Sequence, residues 1–306
     1  MYRIISQPFT RLITRGNSAP FAAIAIMLLA SLLVTINDAL IKEALVKADT
    51  AEVLFFRGVF ALLAFLIFTV LTKSSRALIP KNIFVALGLS MLAVLSLYLF
   101  TYSLGFMPLA TAIVLAYLSP IFVIAMAPLM VGEKIGRLQW AAVVVSFIGV
   151  ILITSPDISV VGGVIVLPIM VALIIALRDV IIRRHIASES ILALSVMVHA
   201  LTVILAGFAF EPTWLVVESS QMWLYAASGV TVAAGATGMI AAMRFGDVAS
   251  LSSIKYSCVL WAALFGWIFF DEFISLFGVI GGVLIIAGGV LIAWHEYLRA
   301  KNEDIV

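Results

Sequence analysis

Ten apolar stretches, each about as long as a membrane is thick, follow one another along the chain with short polar connections between them. A helix needs ~20 apolar residues to cross ~30 Å of hydrocarbon. Because the bilayer core offers no water to the backbone, such stretches fold as helices. The sequence therefore predicts an all-α integral membrane protein with ten transmembrane helices, at about 20–41, 51–72, 82–103, 108–131, 137–154, 162–182, 190–209, 221–242, 247–270 and 275–296.

The composition excludes a soluble globular domain. Of the 306 residues, 64% are apolar and 11% are charged, whereas soluble domains carry roughly 25% charged residues. A single soluble core could not cover so much apolar surface, so we expect a lipid bilayer around the chain. The net charge of +2 gives no reason to expect a nucleic-acid partner, and the lone Cys258 cannot form an internal disulfide.

Lys and Arg residues are distributed unevenly between the two predicted faces. If the N-terminus is cytoplasmic, 13 of the 18 lie on the cytoplasmic side, and only Lys42 and Lys47 lie outside. Loops that stay in the cytoplasm carry such an excess. We therefore predict a multi-pass protein of the inner (plasma) membrane with both termini cytoplasmic. Residues 1–19 are expected to be a retained basic arm, and 297–306 a cytoplasmic tail.

Tryptophans fall near the predicted ends of several spans, where the amphipathic indole ring favours the membrane–water interface. The sequence predicts an aromatic belt formed on the cytoplasmic side by Trp140 and Trp294 and on the external side by Trp214, Trp223 and Trp267.

The two halves of the chain, 20–154 and 162–296, resemble each other. A shift of 139 residues matches Tyr117 with Tyr256 and Glu133 with Glu272, and a shift of 141 matches the Asp38–Lys42 segment with 179–183. Each half holds five predicted spans, so the second repeat must be inverted relative to the first. Inverted repeats recur in secondary transporters, because they give the inward-open and outward-open states similar packing. A duplication kept for packing alone is the alternative.

The repeated pattern resembles the EamA family of the drug/metabolite transporter superfamily. The matching residues are 37–42 (NDALIK) with Arg57, 115–120 (LAYLSP), 132–134 (GEK) and 149–153 (GVILI), with second copies at Tyr256, 271–272 (DE) and 288–292 (GGVLI). The resemblance implies two inverted five-helix repeats around a central cavity. It also implies carriage of small metabolites such as amino acids, vitamins or nucleotide-derived compounds. Val259 stands where the first copy has Pro120.

Charged residues inside spans are costly and are functional candidates for that reason. Asp38 and Arg57 lie toward the external ends of spans one and two, and Asp179 and Lys255 toward the cytoplasmic ends of spans six and nine. We expect the two groups to form parts of an outer and an inner gate, or to hold the two charged ends of a zwitterionic substrate. The alternative is that these charges only fix helix register or extend to the interface.

Several further residues are candidates with a simpler alternative. His199 could relay protons or only pack. Aromatic side chains with a polar tip could line a cavity: Tyr98, Tyr102, Tyr117, Tyr256 and Trp261. We expect Glu133 and Glu272 to cap the helix that follows each of them or to bind the adjacent loop. Pro120 should kink span four and free a carbonyl.

The function predicted from these features is a secondary transporter of small polar or amphipathic metabolites, which exports amino acids or related compounds by alternating access. An importer or exchanger of a vitamin or nucleotide-derived metabolite, such as riboflavin or S-adenosylmethionine, is the alternative. A channel or an intramembrane enzyme is the alternative class. The sequence has no H-E-x-x-H or G-x-S-x-G motif, so we expect no enzyme, cofactor or metal. The glycines of span ten allow close helix packing, either within one chain or across the interface of a homodimer.

Overall fold

The structure is a computed structural model, and all of its regular elements are helical within the ranges it describes. Those ranges are residues 19–72, 78–130, 136–154, 162–185, 190–209, 211, 214, 216–245, 257–273 and 275–303.

These described ranges hold eleven α-helices, α1 to α11 in chain order. The first half holds α1 (Ala19–Ala44), α2 (Thr50–Leu71), α3 (Ile83–Leu104), α4 (Leu109–Ala116), α5 (Ser119–Met130) and α6 (Arg137–Thr154). After a 3₁₀ turn at Gly162–Ile165, the second half holds α7 (Val166–His185), α8 (Ile191–Gly207), α9 (Ser219–Phe245), α10 (Ser257–Phe270) and α11 (Leu276–Glu303).

The helices agree with the apolar stretches of the sequence. Four segments are long and apolar enough to cross a membrane, namely Ala22–Ala44, Thr50–Leu71, Ile83–Leu104 and Gly162–Ile181. Shorter apolar helices follow at Leu109–Val123, Leu192–Gly207, Ser257–Phe270 and Leu276–Gly288. The chain is therefore an all-helical protein with several apolar helices, while the count of ten crossings stays a prediction.

Polar residues in the connections set where helices begin. The Asp49 carboxylate accepts hydrogen bonds from the backbone N–H groups of Ala51 and Glu52, at 2.7 and 2.9 Å, at the start of α2. The Asn82 side chain accepts from Phe84 and Val85 at the start of α3. Such caps satisfy amide groups that have no partner inside the helix.

Span four is broken into two helices at Tyr117 and Leu118. α4 ends at Ala116, and α5 begins at Ser119 with Pro120 in its first turn. Proline favours the first turn of a helix because it has no N–H to donate there. The predicted break is therefore found, and the missing N–H of Pro120 leaves the Ala116 carbonyl without its usual helical donor.

The helices pack in a recurring pattern. α1 contacts α9 and α10, while α7 contacts α3, α4 and α5. α2 contacts α8 and α9, α8 contacts α2 and α3, and α6 contacts α11. The main buried core forms where α4 meets α1, α7 and α10, so the broken span lies at the centre of the bundle.

Candidate functional site

One face of α1 carries a line of polar side chains through the apolar interior. Ser31, Thr35, Asp38 and Lys42 are spaced by four, three and four residues, which places them on the same side of a helix. Ser31 and Thr35 are buried, and their hydroxyls donate to backbone carbonyls one turn earlier in α1. Asp38 and Lys42 are half-buried, so the line runs from the core toward one end of the bundle.

Arg57 of α2 reaches this face through Asn37. The Arg57 Nε donates to Asn37 Oδ1 at 2.8 Å, and Asn37 Nδ2 donates to Asp38 Oδ1, also at 2.8 Å. Arg57 and Asn37 are only 3% and 2% exposed. The predicted approach of Asp38 and Arg57 across adjacent helices is therefore present, with an amide bridging the two charged groups.

The guanidinium of Arg57 is not fully satisfied. Its Nη1 is buried and has no hydrogen-bond partner among the residues that the structure describes. A buried donor without a partner destabilises a fold by ~1–3 kcal/mol, and a charged one by more. This nitrogen can therefore donate a hydrogen bond to an acceptor such as a carboxylate, which arginine binds well because of its planar shape.

Cys258 of α10 closes the opposite side of the polar face. It is 2% exposed, and its Sγ lies 3.6 Å from the carbonyl oxygen of Ser31. The side chains of Thr35 and Tyr117 are hydrogen-bonding neighbours of the thiol. Tyr117, at the break in span four, thus lies next to the polar face, while its role as a site residue stays a prediction.

His199 of α8 lies near the same arginine but is held within its own helix. Its Nδ1 is 2.8 Å from the carbonyl oxygen of Ser195, and its ring packs against Phe65 with centroids 5.4 Å apart. The side chain is 7% exposed and within electrostatic range of Arg57. These contacts fit the packing alternative for His199, although its closeness to Arg57 keeps it within the candidate site.

Other predicted residues lie elsewhere or outside the described ranges. Tyr98 is 42% exposed and lines an apolar groove of about 470 Å³ between α2, α3 and α8. Trp261 is half-buried on α10, and its ring nitrogen has no partner in the described part of the chain. Asp179 is half-buried on α7. Lys255 and Tyr256 lie outside the described residues.

The expectation for Glu272 was wrong in one respect. Its Oε2 accepts from the backbone N–H of Leu109 at 2.8 Å, so Glu272 caps α4 and not the helix that follows it. Its Oε1 lies 2.8 Å from Lys42 Nζ. The cause is a left-handed turn at Asp271, whose φ is 51° and which directs the next side chain back into the bundle. Glu133, its match in the first half, lies outside the described residues.

The tryptophans of the predicted aromatic belt differ in exposure, while their depth in a membrane stays a prediction. Trp140, Trp223, Trp267 and Trp294 are exposed, as an interfacial position requires, but Trp214 is 2% exposed. The Trp214 ring packs against Phe55 and Phe56 at centroid distances of 5.7 and 6.4 Å. Trp214 is therefore covered by these two α2 aromatics.

Sequence reasoning missed the neutral polar members of the site. Asn37, Ser31 and Thr35 carry no charge and are not among the residues predicted from the sequence. The spacing of Ser31 and Thr35 with Asp38 and Lys42 in an otherwise apolar helix is the signal that identifies those two. Asn37 lies off that face, and no spacing signal points to it.

Known proteins resemble this chain along most of its length. The pseudopaline exporter CntI of Pseudomonas aeruginosa is 26% identical over 274 residues, which are 89% of this chain and 96% of that protein. An S-adenosylmethionine uptake transporter of Rickettsia prowazekii is 25% identical, over 88% of this chain and 92% of its own length. An uncharacterized transporter of Helicobacter pylori is 27% identical over 71% of this chain and 73% of its own.

A solved crystal structure shares the fold. It matches with a TM-score of 0.60 at 18% sequence identity, and the match covers 89% of this chain and 96% of the other. Residues 21–155 match the EamA-like transporter family, in agreement with the resemblance carried by the NDALIK, LAYLSP and GEK segments. The first half of the chain is therefore similar to the EamA-like transporter family, and its full-length relatives are named as transporters.

Proposed function

We propose that the chain is a secondary transporter which exports amino acids or related small amphipathic metabolites by alternating access, and which catalyses no chemical change. The observation that carries this proposal is the free Nη1 of buried Arg57, held beside Asp38 by Asn37. The Arg57 guanidinium and the Asp38 carboxylate lie close together, and they suit a ligand that carries both a negative and a positive charge.

The two ends of an amino acid match the two halves of this site. A substrate carboxylate would bind the free nitrogen of Arg57, and its ammonium group would bind the second oxygen of Asp38. Hydrogen bonds to charged groups contribute about 1.5–3 kcal/mol each. A ligand with only one of the two charges would leave the other site group unpaired, which gives the site a preference for zwitterions.

The packing of the helices supports two inverted repeats, 20–154 and 162–296. Consider a pseudo-two-fold axis that exchanges α1 with α7, α2 with α8 and α3 with α9. It converts the observed α1–α9 contact into the α7–α3 contact, and the α2–α9 contact into the α8–α3 contact, and both of these are also observed. The α6–α11 and α2–α8 pairings map onto themselves. The sequence matches at shifts of 139 and 141 support the same relation.

The names of the relatives support transport of a metabolite, but they differ in the direction of transport. The Pseudomonas relative is named an exporter, and the Rickettsia relatives are named uptake transporters for S-adenosylmethionine. Uptake or exchange of a nucleotide-derived metabolite is therefore the second candidate. Its cargo would also use the Arg57–Asp38 pair if it carries an amino-acid end.

Thermal-shift measurements on purified protein test the site. Ligand binding stabilises the folded state by RT ln(1 + [L]/Kd), or about 2.7 kcal/mol at a hundred times Kd. We expect zwitterionic metabolites to raise the melting temperature, and the matched amines and carboxylic acids to do so much less. The Arg57→Ala variant should lose the shift, while Arg137→Ala, at the exposed start of α6, should keep it. A shift of unchanged size in Arg57→Ala would remove Arg57 from the site.

A further inference from the structure

A largely buried ion pair lies at one end of the polar face. Lys42 lies in the last turn of α1, and Glu272 follows the end of α10 by two residues. Lys42 Nζ and Glu272 Oε1 are 2.8 Å apart, and the two side chains are only 14% and 15% exposed. The pair therefore differs from an exposed ion pair, which contributes little to stability because water and salt screen it.

The same pair also holds the turn between α3 and α4. Lys42 Nζ donates to the carbonyl oxygens of Leu104 and Met107, at 3.1 and 2.5 Å. With Glu272 as the third acceptor, all three ammonium donors are used. Glu272 Oε2 binds the backbone N–H of Leu109 at 2.8 Å. Two side chains thus join the end of α1, the α3–α4 turn and the end of α10.

The chain makes room for this arrangement at Gly266. The backbone N–H of Glu272 donates to the Gly266 carbonyl at 3.0 Å, and the carboxylate folds back over the glycine. A Cβ at position 266 would lie 2.8 Å from Glu272 Oε2. Any larger residue at this position would displace the carboxylate from Lys42 and Leu109 without removing either charge.

Lys42 lies one helical turn beyond Asp38 on the polar face of α1, about 6 Å along the helix axis. The joined segments therefore cover the route from Asp38 to this end of the bundle. Below them, α4 packs directly on α10 in the main core. At the end of the bundle that carries Lys42, an ion pair thus lies next to an apolar helix contact.

We propose that Lys42 and Glu272 form a latch that keeps this mouth of the transporter closed and that must break once in each transport cycle. The proposal rests on the proposed function, because a chain with no alternating mouths needs no latch. The sequence carries the same two signs at the matched positions of the other half, Arg183 and Glu133.

Removing one latch residue should open the mouth. A buried ion pair that loses one partner leaves an uncompensated charge in a poorly hydrated place, and that charge favours any state that exposes it to water. Glu272→Gln and Lys42→Gln are therefore expected to shift the protein toward the state open on this face. Gly266→Ala should act in the same direction while both charges remain.

Cys258 provides the probe, because it is the only cysteine of the chain and lies on the polar face beneath the latch. A membrane-impermeant maleimide is added to one face of sealed vesicles at a time. From the face that carries Lys42, we expect slow labelling of the unchanged protein and labelling at least about tenfold faster in Glu272→Gln, a shift of about 1.4 kcal/mol. From the other face, the rate should stay equal or fall.

The exposed pair Lys47–Glu218 is the matched control. It lies at the same end of the bundle with a 3.1 Å contact, and its side chains are 62% and 68% exposed. Glu218→Gln should label as slowly as the unchanged protein. Labelling that is unchanged in Glu272→Gln, or faster to the same extent from both faces, contradicts the latch.

Lys42→Gln and Gly266→Ala must give the same one-sided increase. Because labelling needs no substrate, its outcome can be separated from that of transport. An unchanged labelling rate in a protein that shows counterflow would overturn the latch alone. A one-sided increase in a protein that transports nothing would overturn the proposed function, and with it the part of the ion pair in a transport cycle.

Discussion

At the scale of single residues, Arg57 has two differently used nitrogens. Its Nε is bound to Asn37, and its buried Nη1 is open. Sequence reasoning could find the charge, because an arginine inside an apolar stretch is rare, but not the amide that orients it. Which neighbour of Asp38 turns toward α2 depends on how α1 is rotated, and that is decided by packing.

Arg57→Lys separates charge from shape. A lysine keeps the positive charge but lacks the planar group that binds Asn37 and a carboxylate at the same time. We expect a normally folded protein whose affinity for its substrate is at least about tenfold weaker, as the loss of one charged hydrogen bond implies. Ligand titrations by thermal shift measure this. Unchanged affinity would mean that only the charge matters.

Asn37→Ala tests the bridge between the two charges. Without the amide, Arg57 Nε loses its acceptor, and the protein should be destabilised by about 1–3 kcal/mol and should bind substrate more weakly. Asn82→Ala is the matched control, since Asn82 only caps α3 and its loss costs about 1 kcal/mol of stability. Denaturation and ligand titration of both variants compare them. Equal affinities in the two variants would contradict a role for Asn37 in the site.

At the scale of helices, close packing depends on a few glycines. A Cβ added at Gly229 of α9 would lie 2.6 Å from Phe60 Cβ and 2.8 Å from the Arg57 carbonyl oxygen. A Cβ at Gly88 of α3, which the 141-residue shift matches with Gly229, would meet nothing within 4 Å. One glycine of the pair therefore touches α2, and the other faces the groove.

Gly229→Ala and Gly88→Ala should consequently have different effects on the melting temperature. Overpacking against a backbone costs about 1–3 kcal/mol, so Gly229→Ala should lower the melting temperature. Gly88→Ala should leave it unchanged or raise it, because alanine is favoured over glycine in helices by about 0.5–1 kcal/mol. Thermal denaturation in detergent measures both. Equal losses in the two variants would contradict the packing described for α9.

The sequence predicts features of the helices that depend on local signals, but not those that depend on contacts between distant residues. Long apolar stretches gave the positions of the helices, since burial in lipid leaves few other solutions, and Pro120 indicated the break in span four. The acceptors of Lys42 and the cover over Trp214 could not be predicted, because both depend on residues far away in sequence. Local signals such as the acid at Glu272 identify a capping group but not the helix that it caps.

At the scale of the whole molecule, one contact departs from the pseudo-two-fold relation that we propose between the halves. α9 packs closely on α2 at Gly229, whereas the groove of about 470 Å³ separates Gly88 of α3 from Thr202 of α8. The 141-residue shift that matches the two glycines also matches Ala61 with Thr202. If the inward-open and outward-open states exchange the packing of the two halves, the groove should be open in one of these states and closed in the other.

Cross-linking tests this exchange. Gly88→Cys and Thr202→Cys are combined with Cys258→Ser, so that only the introduced thiols can react. We expect a short bifunctional cross-linker to join them faster when substrate is present and the protein cycles between states. The same pair combined with Arg57→Ala should show no substrate effect. A cross-linking rate that substrate does not change in either protein would contradict closure of the groove.

Counterflow in proteoliposomes tests the central claim most directly, namely that one site built on Asp38 and Arg57 opens to each face in turn. Vesicles loaded with unlabelled zwitterionic substrate receive a trace of labelled substrate outside. We expect transient accumulation of label above equilibrium with the unchanged protein and none with Arg57→Ala. Label that only equilibrates without overshoot in the unchanged protein, or an overshoot that persists in Arg57→Ala, would contradict it.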